Sequence, residues 1–278
     1  MNIVLLAESS TNPVLASVLA RLGERHTVTV RDPQELATTV FPATAPARDH
    51  ADMYLLKSRS PQAQAFARRA ERAGALVVNR PAATAAALDR LAMATLLDLA
   101  GVPAPRTWSF PTLRQMASDE LTRQWLPWPM VVKSRTSGRG DLVQLVQDRA
   151  ALLELLPQWG DEPVIAQEFV ANDGFDIKVW VIGSDLSAAR RACALEGVDK
   201  SADVPLTGDD LPADWALTAR RAGAALGLDL FGVDLLITRN GPVVIDVNAF
   251  PGFQGAHDPA ESMLRFLEQH ASERLVHA

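Results

Sequence analysis

The stretch FGVDLLITRNGPVVIDVNAFPGF, residues 231–253, decides the fold. Two runs of branched aliphatic residues flank an Asn-Gly pair, which is typical of the turn of a β-hairpin. Because side chains alternate along a strand, Asp246 and Asn248 lie on one face of the second run. A turn of three loop residues that ends at a left-handed Gly241 would bring Asp234 directly opposite Asp246, whereas a two-residue turn would move Asp234 to the other face.

Two carboxylates paired across a hairpin have Cβ atoms about 5 Å apart, and they repel each other unless a cation lies between them. Oxygen ligands of this kind suit Mg2+, and Mn2+ is the alternative cation. Aspartate is also depleted in strand interiors, so a solvated hairpin with scattered acids is the weaker interpretation. The hairpin therefore predicts a metal site at Asp234, Asp246 and Asn248.

Composition excludes several classes of protein. The chain has 278 residues, of which 48% are hydrophobic, and this is enough to bury a core. A formal net charge of -6 gives no general attraction to nucleic acid or to an anionic membrane surface, so the expected partners are small-molecule substrates. A single cysteine excludes an internal disulfide, and the opening MNIVLLAESST is too short an apolar run to span a membrane. These features predict a cytoplasmic protein.

The order of the elements predicts an α/β fold in three parts. Residues 1–84 begin with strand, helix and strand, and they form an open-sheet unit that contains neither a GxGxxG nor a P-loop motif. Residues 85–167 form a small central lobe, and residues 168–278 form a C-terminal lobe that carries the hairpin. Thr84 is expected to cap one long helix that Gly101 ends.

A glycine-containing loop follows a short apolar strand in the central lobe. Lys133 ends that strand, and Ser137, Gly138 and Gly140 follow it. Glycines at this place would let backbone N–H groups approach phosphates beside a lysine charge. The same residues are also compatible with a plain hairpin turn, so both interpretations stay open.

These segments, in this order, resemble the ATP-grasp superfamily, most closely its RimK-like branch of carboxylate–amine ligases. The resemblance covers residues 77–253. It rests on VVNRPAATAAALDR, GVPAPRT, PMVVKSRTSGRG, VIAQEFV, FDIKVWVIG, LGLDLFGVDLLITR and GPVVIDVNAFPGFQG.

The resemblance implies that ATP lies between the second and third parts of the chain. The lysine matching Lys133 contacts phosphate, the glycine loop closes over the phosphates, the segment after Gln167 meets adenine, and the residue matching Asp176 meets the ribose. Arg90 stands where these ligases usually have a lysine that contacts the nucleotide. The implied nucleotide site thus comprises Arg90, Lys133, Ser137, Gly138, Gly140, Gln167, Glu168, Phe169, Val170 and Asp176.

The resemblance also implies a reaction, in which Lys178, Arg191 and Lys200 supply positive charge. In the favoured mechanism a carboxylate attacks the γ-phosphate of ATP, and an amine then displaces phosphate from the acyl phosphate. Parts of the sequence are also similar to inositol polyphosphate kinases of the same fold. In that alternative a sugar or polyol hydroxyl receives the phosphate, and Lys57 and Arg59 join the cations that hold the substrate.

Two further expectations are less specific. A regulator that binds ATP without catalysis is disfavoured because the metal residues are intact. The chain is also compatible with a homodimer, and His257 is the histidine nearest the hairpin.

Overall fold

The computed structural model describes residues 1–8, 12–36, 51–118, 125–138, 140–192, 203–206 and 211–277. Its strands are β1 Asn2–Leu6, β2 Thr27–Arg31, β3 Met53–Leu56, β4 Leu76–Val78, β5 Thr107–Phe110, β6 Met130–Ser134, β7 Val143–Val146, β8 Val164–Glu168, β9 Phe175–Ile182, β10 Asp185–Ala192, β11 Val204–Leu206, β12 Leu230–Thr238 and β13 Gly241–Ala249. Its helices are α1 Pro13–Leu22, α2 Pro33–Leu36, α3 Pro61–Arg72, α4 Pro81–Leu88, α5 Arg90–Leu99, α6 Leu113–Ser118, α7 Arg149–Glu154, α8 Leu156–Trp159, α9 Ala213–Leu226 and α10 Pro259–His277.

Three sheets follow one another along the described chain. The first is parallel, with strand order β2-β1-β3-β4. The second is antiparallel, with order β5-β8-β6-β7, and the third is antiparallel, with order β11-β10-β9-β12-β13. This is the predicted α/β architecture with an open N-terminal sheet. The residue boundaries of the three parts stay a prediction.

The helix expected to start at Thr84 starts at Pro81 instead, and it is two helices that meet at Asp89. Its carboxylate accepts hydrogen bonds from the backbone N–H groups of Leu91 and Ala92, so Asp89 is the N-cap of α5. The Asp89 carboxylate also pairs with Arg135 at 2.8 Å, and its backbone forms a β-bridge with Thr136. The prediction of one helix was wrong because these contacts with a distant segment hold residue 89 out of the helix.

The hairpin of β12 and β13, called the metal hairpin below, places Asp234 directly opposite Asp246, as predicted. The expected turn was wrong, because Thr238 pairs with Gly241 and only two residues form the turn. The register is recovered by a β-bulge: Leu235 pairs with Val244 while Asp234 pairs with Asp246, so Ile245 is an extra residue. The turn is one residue shorter than expected and the bulge adds one residue, so the two differences cancel and both acids reach the same face.

The N-terminal sheet and the C-terminal lobe share a hydrophobic core. Leu5 and Leu55 of the first sheet pack in one cluster with Trp180, Phe250 and Phe253. The buried side chain of Asn79 fixes this contact, because it donates to the Leu230 carbonyl at 2.7 Å and accepts from the N–H groups of residues 229 and 230. The carboxyl edge of the first sheet is thus held beside the end of the metal hairpin.

Candidate active site

Asp246 and Asn248 lie on the face of the metal hairpin that bears Asp234. The Asn248 amide donates to Asp246 Oδ2 at 3.2 Å. The other oxygen, Asp246 Oδ1, is buried and has no hydrogen-bond partner among the described residues. A buried acceptor without a partner is costly, so this atom needs a ligand or a cation.

Asp234 has cations as neighbours. Lys178 Nζ lies 2.7 Å from Asp234 Oδ1, and Arg191 Nη2 lies 2.9 Å from the same oxygen. Arg191 also pairs with Asp176 at 2.8 Å. Burial raises the pKa of Asp176, while Arg191 works against that shift. Lys178 and Asp176 are 6% and 7% exposed, so these charges are held close together away from water.

A glycine in β12 makes room for this network. A Cβ atom on Gly232 would lie 3.0 Å from Cε and 3.2 Å from Nζ of Lys178, and 3.4 Å from Pro251. The position was not identified from the sequence. A glycine within a buried apolar strand is the available signal, because it often marks the close approach of another group.

A pocket lies between the second and third sheets, and Lys133 lies at one side of it. Lys133 is 7% exposed, and its ammonium donates to the carbonyl of Ile245, the bulged residue, at 3.0 Å. Burial lowers the pKa of Lys133, and Asp246 counters part of that shift. The pocket is mainly apolar and is lined by Pro105, Val131, Lys133, Gln167, Glu168, Phe169, Val170, Asn172, Leu236 and Ile245. It thus brings together five of the residues that the sequence assigned to the nucleotide.

The glycine loop after β6 is held on both sides, by Ser137 at its start and by Asp141 just after its end. Ser137 N–H donates to the Leu88 carbonyl at 2.8 Å, while Cβ atoms built on Gly138 and Gly140 would meet open space. Gly140 has φ +75°, which favours glycine. Arg90 is 4% exposed and donates to the Ser134 carbonyl and to Asp141 at 2.8 and 2.6 Å, so its Nη1 is already engaged.

Lys200 lies outside the described residues. Gln167 is buried and donates to Thr107 Oγ1 at 3.1 Å, so its amide supports the pocket wall. His257 lines a separate depression beside α10 together with Trp180 and Arg265.

Together, a mainly apolar pocket between two antiparallel sheets, a buried lysine and an acidic hairpin beside it define an ATP-grasp enzyme. The chain belongs to the RimK-like ATP-grasp family, whose model matches residues 87–262.

Relatives agree with this membership, and solved structures agree with the fold. The chain is 33% identical over 219 residues to a probable alpha-L-glutamate ligase of Thioalkalivibrio sulfidiphilus, covering 74% of this chain and 72% of the relative. It is 30% identical to the ribosomal protein bS6–L-glutamate ligase of Salmonella paratyphi B, covering 74% and 71%. A RimK domain ATP-grasp protein from Sphaerobacter thermophilus superposes with a TM-score of 0.76 and 24% identity, covering 96% of this chain and 99% of that protein. The D-alanine–D-alanine ligase of Bacillus anthracis in complex with ATP superposes with a TM-score of 0.72 and 18% identity, covering both chains fully.

The protein is therefore an ATP-dependent carboxylate–amine ligase, and these findings favour ligation over the kinase alternative. No described helix has the length and apolar character that crossing a bilayer requires. A cytoplasmic location and a homodimer stay predictions.

Proposed function

We propose that this ligase activates a substrate carboxylate as an acyl phosphate and joins it to the amine of an amino acid, with Mg2+ held at the metal hairpin. The observation that carries the proposal is the unpartnered Asp246 Oδ1, which is buried beside Lys133 and opposite Asp234. L-glutamate is the first amine to test, because two relatives are described as glutamate ligases.

The donor set fits a hard divalent cation. Asp234, Asp246 and Asn248 offer only oxygen ligands, which Mg2+ prefers, and Mn2+ is expected to replace it. No group of three or more His, Cys, Asp or Glu side chains that could hold a metal occurs in the described part of the chain. The two acids and the amide would therefore share the ion with phosphate oxygens. When bound, the ion neutralises charge on the β- and γ-phosphates.

The residues of the pocket would position the nucleotide. The mainly apolar wall formed with Phe169, Val170 and Leu236 suits a flat purine, and Lys133 faces it with a single ammonium. The glycine loop would close over the phosphates, and backbone N–H groups at its glycines would donate to them. Arg90 and Asp176 are proposed for the phosphate and ribose sides, respectively.

The reaction then needs no protein nucleophile. A substrate carboxylate oxygen attacks the γ-phosphorus, and the bond to the β–γ bridging oxygen breaks and releases ADP. The amine nitrogen attacks the acyl carbon, the C–O bond to phosphate breaks with its electron pair, and the nitrogen loses a proton. Lys178 and Arg191 would stabilise the anionic phosphoryl group during transfer. Lys200 is proposed as a further cation.

Hydroxylamine trapping tests this proposal. An acyl phosphate is open to any small nucleophile that enters, so hydroxylamine with ATP, Mg2+ and the right carboxylate should give a hydroxamate, with one ADP and one phosphate for each product. Carboxylates should be screened with L-glutamate, and polyols in parallel. Stoichiometric transfer of labelled γ-phosphate to a polyol, with no free phosphate, would overturn the proposal.

A further inference from the structure

Two cations at the carboxyl edge of the N-terminal sheet lie next to the metal hairpin. Lys57 follows β3 and donates through Nζ to the Phe250 carbonyl at 2.6 Å. Arg59, two residues further on, donates through Nη2 to Asn248 Oδ1 at 3.3 Å. The first sheet therefore supplies positive charge to the same site as the two later sheets, although the family model begins only at residue 87.

These cations are not neutralised by the described carboxylates. Neither Lys57 nor Arg59 has an ion pair within 4 Å there, and Glu8, the acid that influences Lys57, accepts a hydrogen bond from Ser58 Oγ. Burial, followed by the charge of Arg59, lowers the pKa of Lys57 to about 8. Arg59 is exposed, and its hydrogen bond to Asn248 uses one of five guanidinium donors.

The local backbone adds to the positive potential. Arg59 directly precedes Ser60, the N-cap of the twelve-residue helix α3. A helix N-terminus carries a partial positive charge, so the Arg59 guanidinium is unfavourable beside it until an anion binds near both. The carboxyl edge of a parallel sheet is also where ligands of open α/β folds bind.

We propose that Lys57 and Arg59 bind a carboxylate of the amino-acid substrate that is not consumed in the reaction. This inference rests on the proposed ligation. The carboxylate that becomes the acyl phosphate must lie beside the γ-phosphate, for which Lys178 and Arg191 are the proposed cations, and it loses its negative charge there. The Arg59 guanidinium meets the Oδ1 end of the Asn248 amide, whereas Asp246 meets its Nδ2 end. Arg59 therefore suits a carboxylate that stays charged through both steps and can be held by a two-point contact.

The competing explanation is that Arg59 only tethers Asn248. The two explanations predict different losses in Arg59→Ala. If Arg59 binds the amino acid, KM for that substrate should rise at least about tenfold, while affinity for ADP with Mg2+ stays within about twofold. If Arg59 is a tether, affinity for the nucleotide should fall and KM for the amino acid should not.

Calorimetry on the full-length chain with saturating ADP and Mg2+ is the decisive experiment, because it needs no turnover. A panel of L-amino acids, with L-glutamate first, is titrated into wild type and into Arg59→Ala, Arg59→Lys and Arg68→Ala. Arg68 is an exposed arginine on α3, so Arg68→Ala removes the same charge from the same unit. We expect weaker binding in Arg59→Ala, partial recovery in Arg59→Lys and wild-type binding in Arg68→Ala.

A ligand without a carboxylate tests whether Arg59 contacts that group of the amino acid. An amino acid whose carboxylates are carboxamides should bind wild type as weakly as the parent binds Arg59→Ala, and the variant should not weaken it further. Hydroxamate formation needs no amino acid, so its absence in wild type would count against the proposed ligation alone. Equal losses for carboxylate and carboxamide ligands would overturn the inference, as would an amino-acid panel that does not bind wild type.

Discussion

The two aspartates that face each other across the metal hairpin should respond to the same substitution in different ways. Asp234 Oδ1 is within 3 Å of both Lys178 and Arg191, whereas Asp246 has no ion pair within 4 Å among the described residues and one oxygen without a partner. Asparagine has the same shape as aspartate, so Asp234→Asn and Asp246→Asn change charge with little change in packing.

The expected stability losses follow from these contacts. Asp234→Asn leaves the buried Lys178 ammonium without its ion-pair partner, which costs about 3–5 kcal/mol in a buried site. Asp246→Asn loses the hydrogen bond from Asn248, about 1 kcal/mol, and the attraction that partly offsets the burial of Lys133; no direct ion pair is lost, so its cost should be the smaller of the two. Urea unfolding in EDTA without nucleotide measures both values.

The effect of Asp246→Asn on nucleotide affinity should depend on whether Mg2+ is present. With Mg2+ present, Asp246→Asn should weaken binding of an ATP analogue at least about tenfold, or about 1.4 kcal/mol, because a charged metal ligand is lost. In EDTA the same variant should bind the analogue as well as wild type or better, since one negative charge near the phosphates is gone. Wild-type affinity with Mg2+, or equal unfolding losses in the two variants, would refute this account.

Three other perturbations test separate parts of the site. An ATP analogue with Mg2+ should protect residues 137–140 from proteolysis, and Lys133→Ala should weaken its binding more than Lys133→Arg; equal protection with and without nucleotide would contradict a lid. Gly232→Ala should displace Lys178 and lower kcat more than about tenfold while the Mg2+-dependent nucleotide affinity changes little, and an unchanged kcat would show that the contact is tolerated. Folding lowers the pKa of Lys57 from 10.5 to about 8, so between pH 8 and 10.5 the folded state binds fewer protons than the unfolded state. The free energy of unfolding of wild type, relative to that of Lys57→Gln, should therefore rise over this pH range by up to about 3 kcal/mol. A difference in urea unfolding that does not change with pH would contradict the shift.

Much of the fold could be predicted because local signals and the fold agree. Ser60 and Pro61 stand at the start of α3, and Asp148 caps α7; serine, proline and aspartate each favour these helix positions by their own chemistry. Asp89 shows where this fails: it lies in an Ala- and Leu-rich run without glycine or proline, and only its contacts with Arg135 and Thr136 separate the two helices. Such partners lie nearly fifty positions away, and no local pattern contains them.

Placement of the N-terminal sheet could not be predicted for the same reason. Asn79 appears in the sequence as the end of a strand, yet its side chain satisfies backbone groups at residues 229 and 230 of the C-terminal lobe. Lys57 reaches the Phe250 carbonyl across 193 positions. The kinase alternative counts Lys57 and Arg59 among the cations that hold the substrate, but no sequence pattern predicts their distance from the metal hairpin.

The bulge at Ile245 connects fold to site in a way that neither the strand pattern nor the motif reveals. Without it, a two-residue turn would place Asp234 opposite Ile245, and Asp246 would face the core. The extra residue restores the pair, and it also turns a carbonyl out of the regular ladder, where Lys133 Nζ meets it. One irregularity in β13 thus sets the spacing of the two acids and holds the buried lysine of the middle sheet against the third. The bulge therefore positions the charges of the site, a role that the stability of the hairpin alone does not explain.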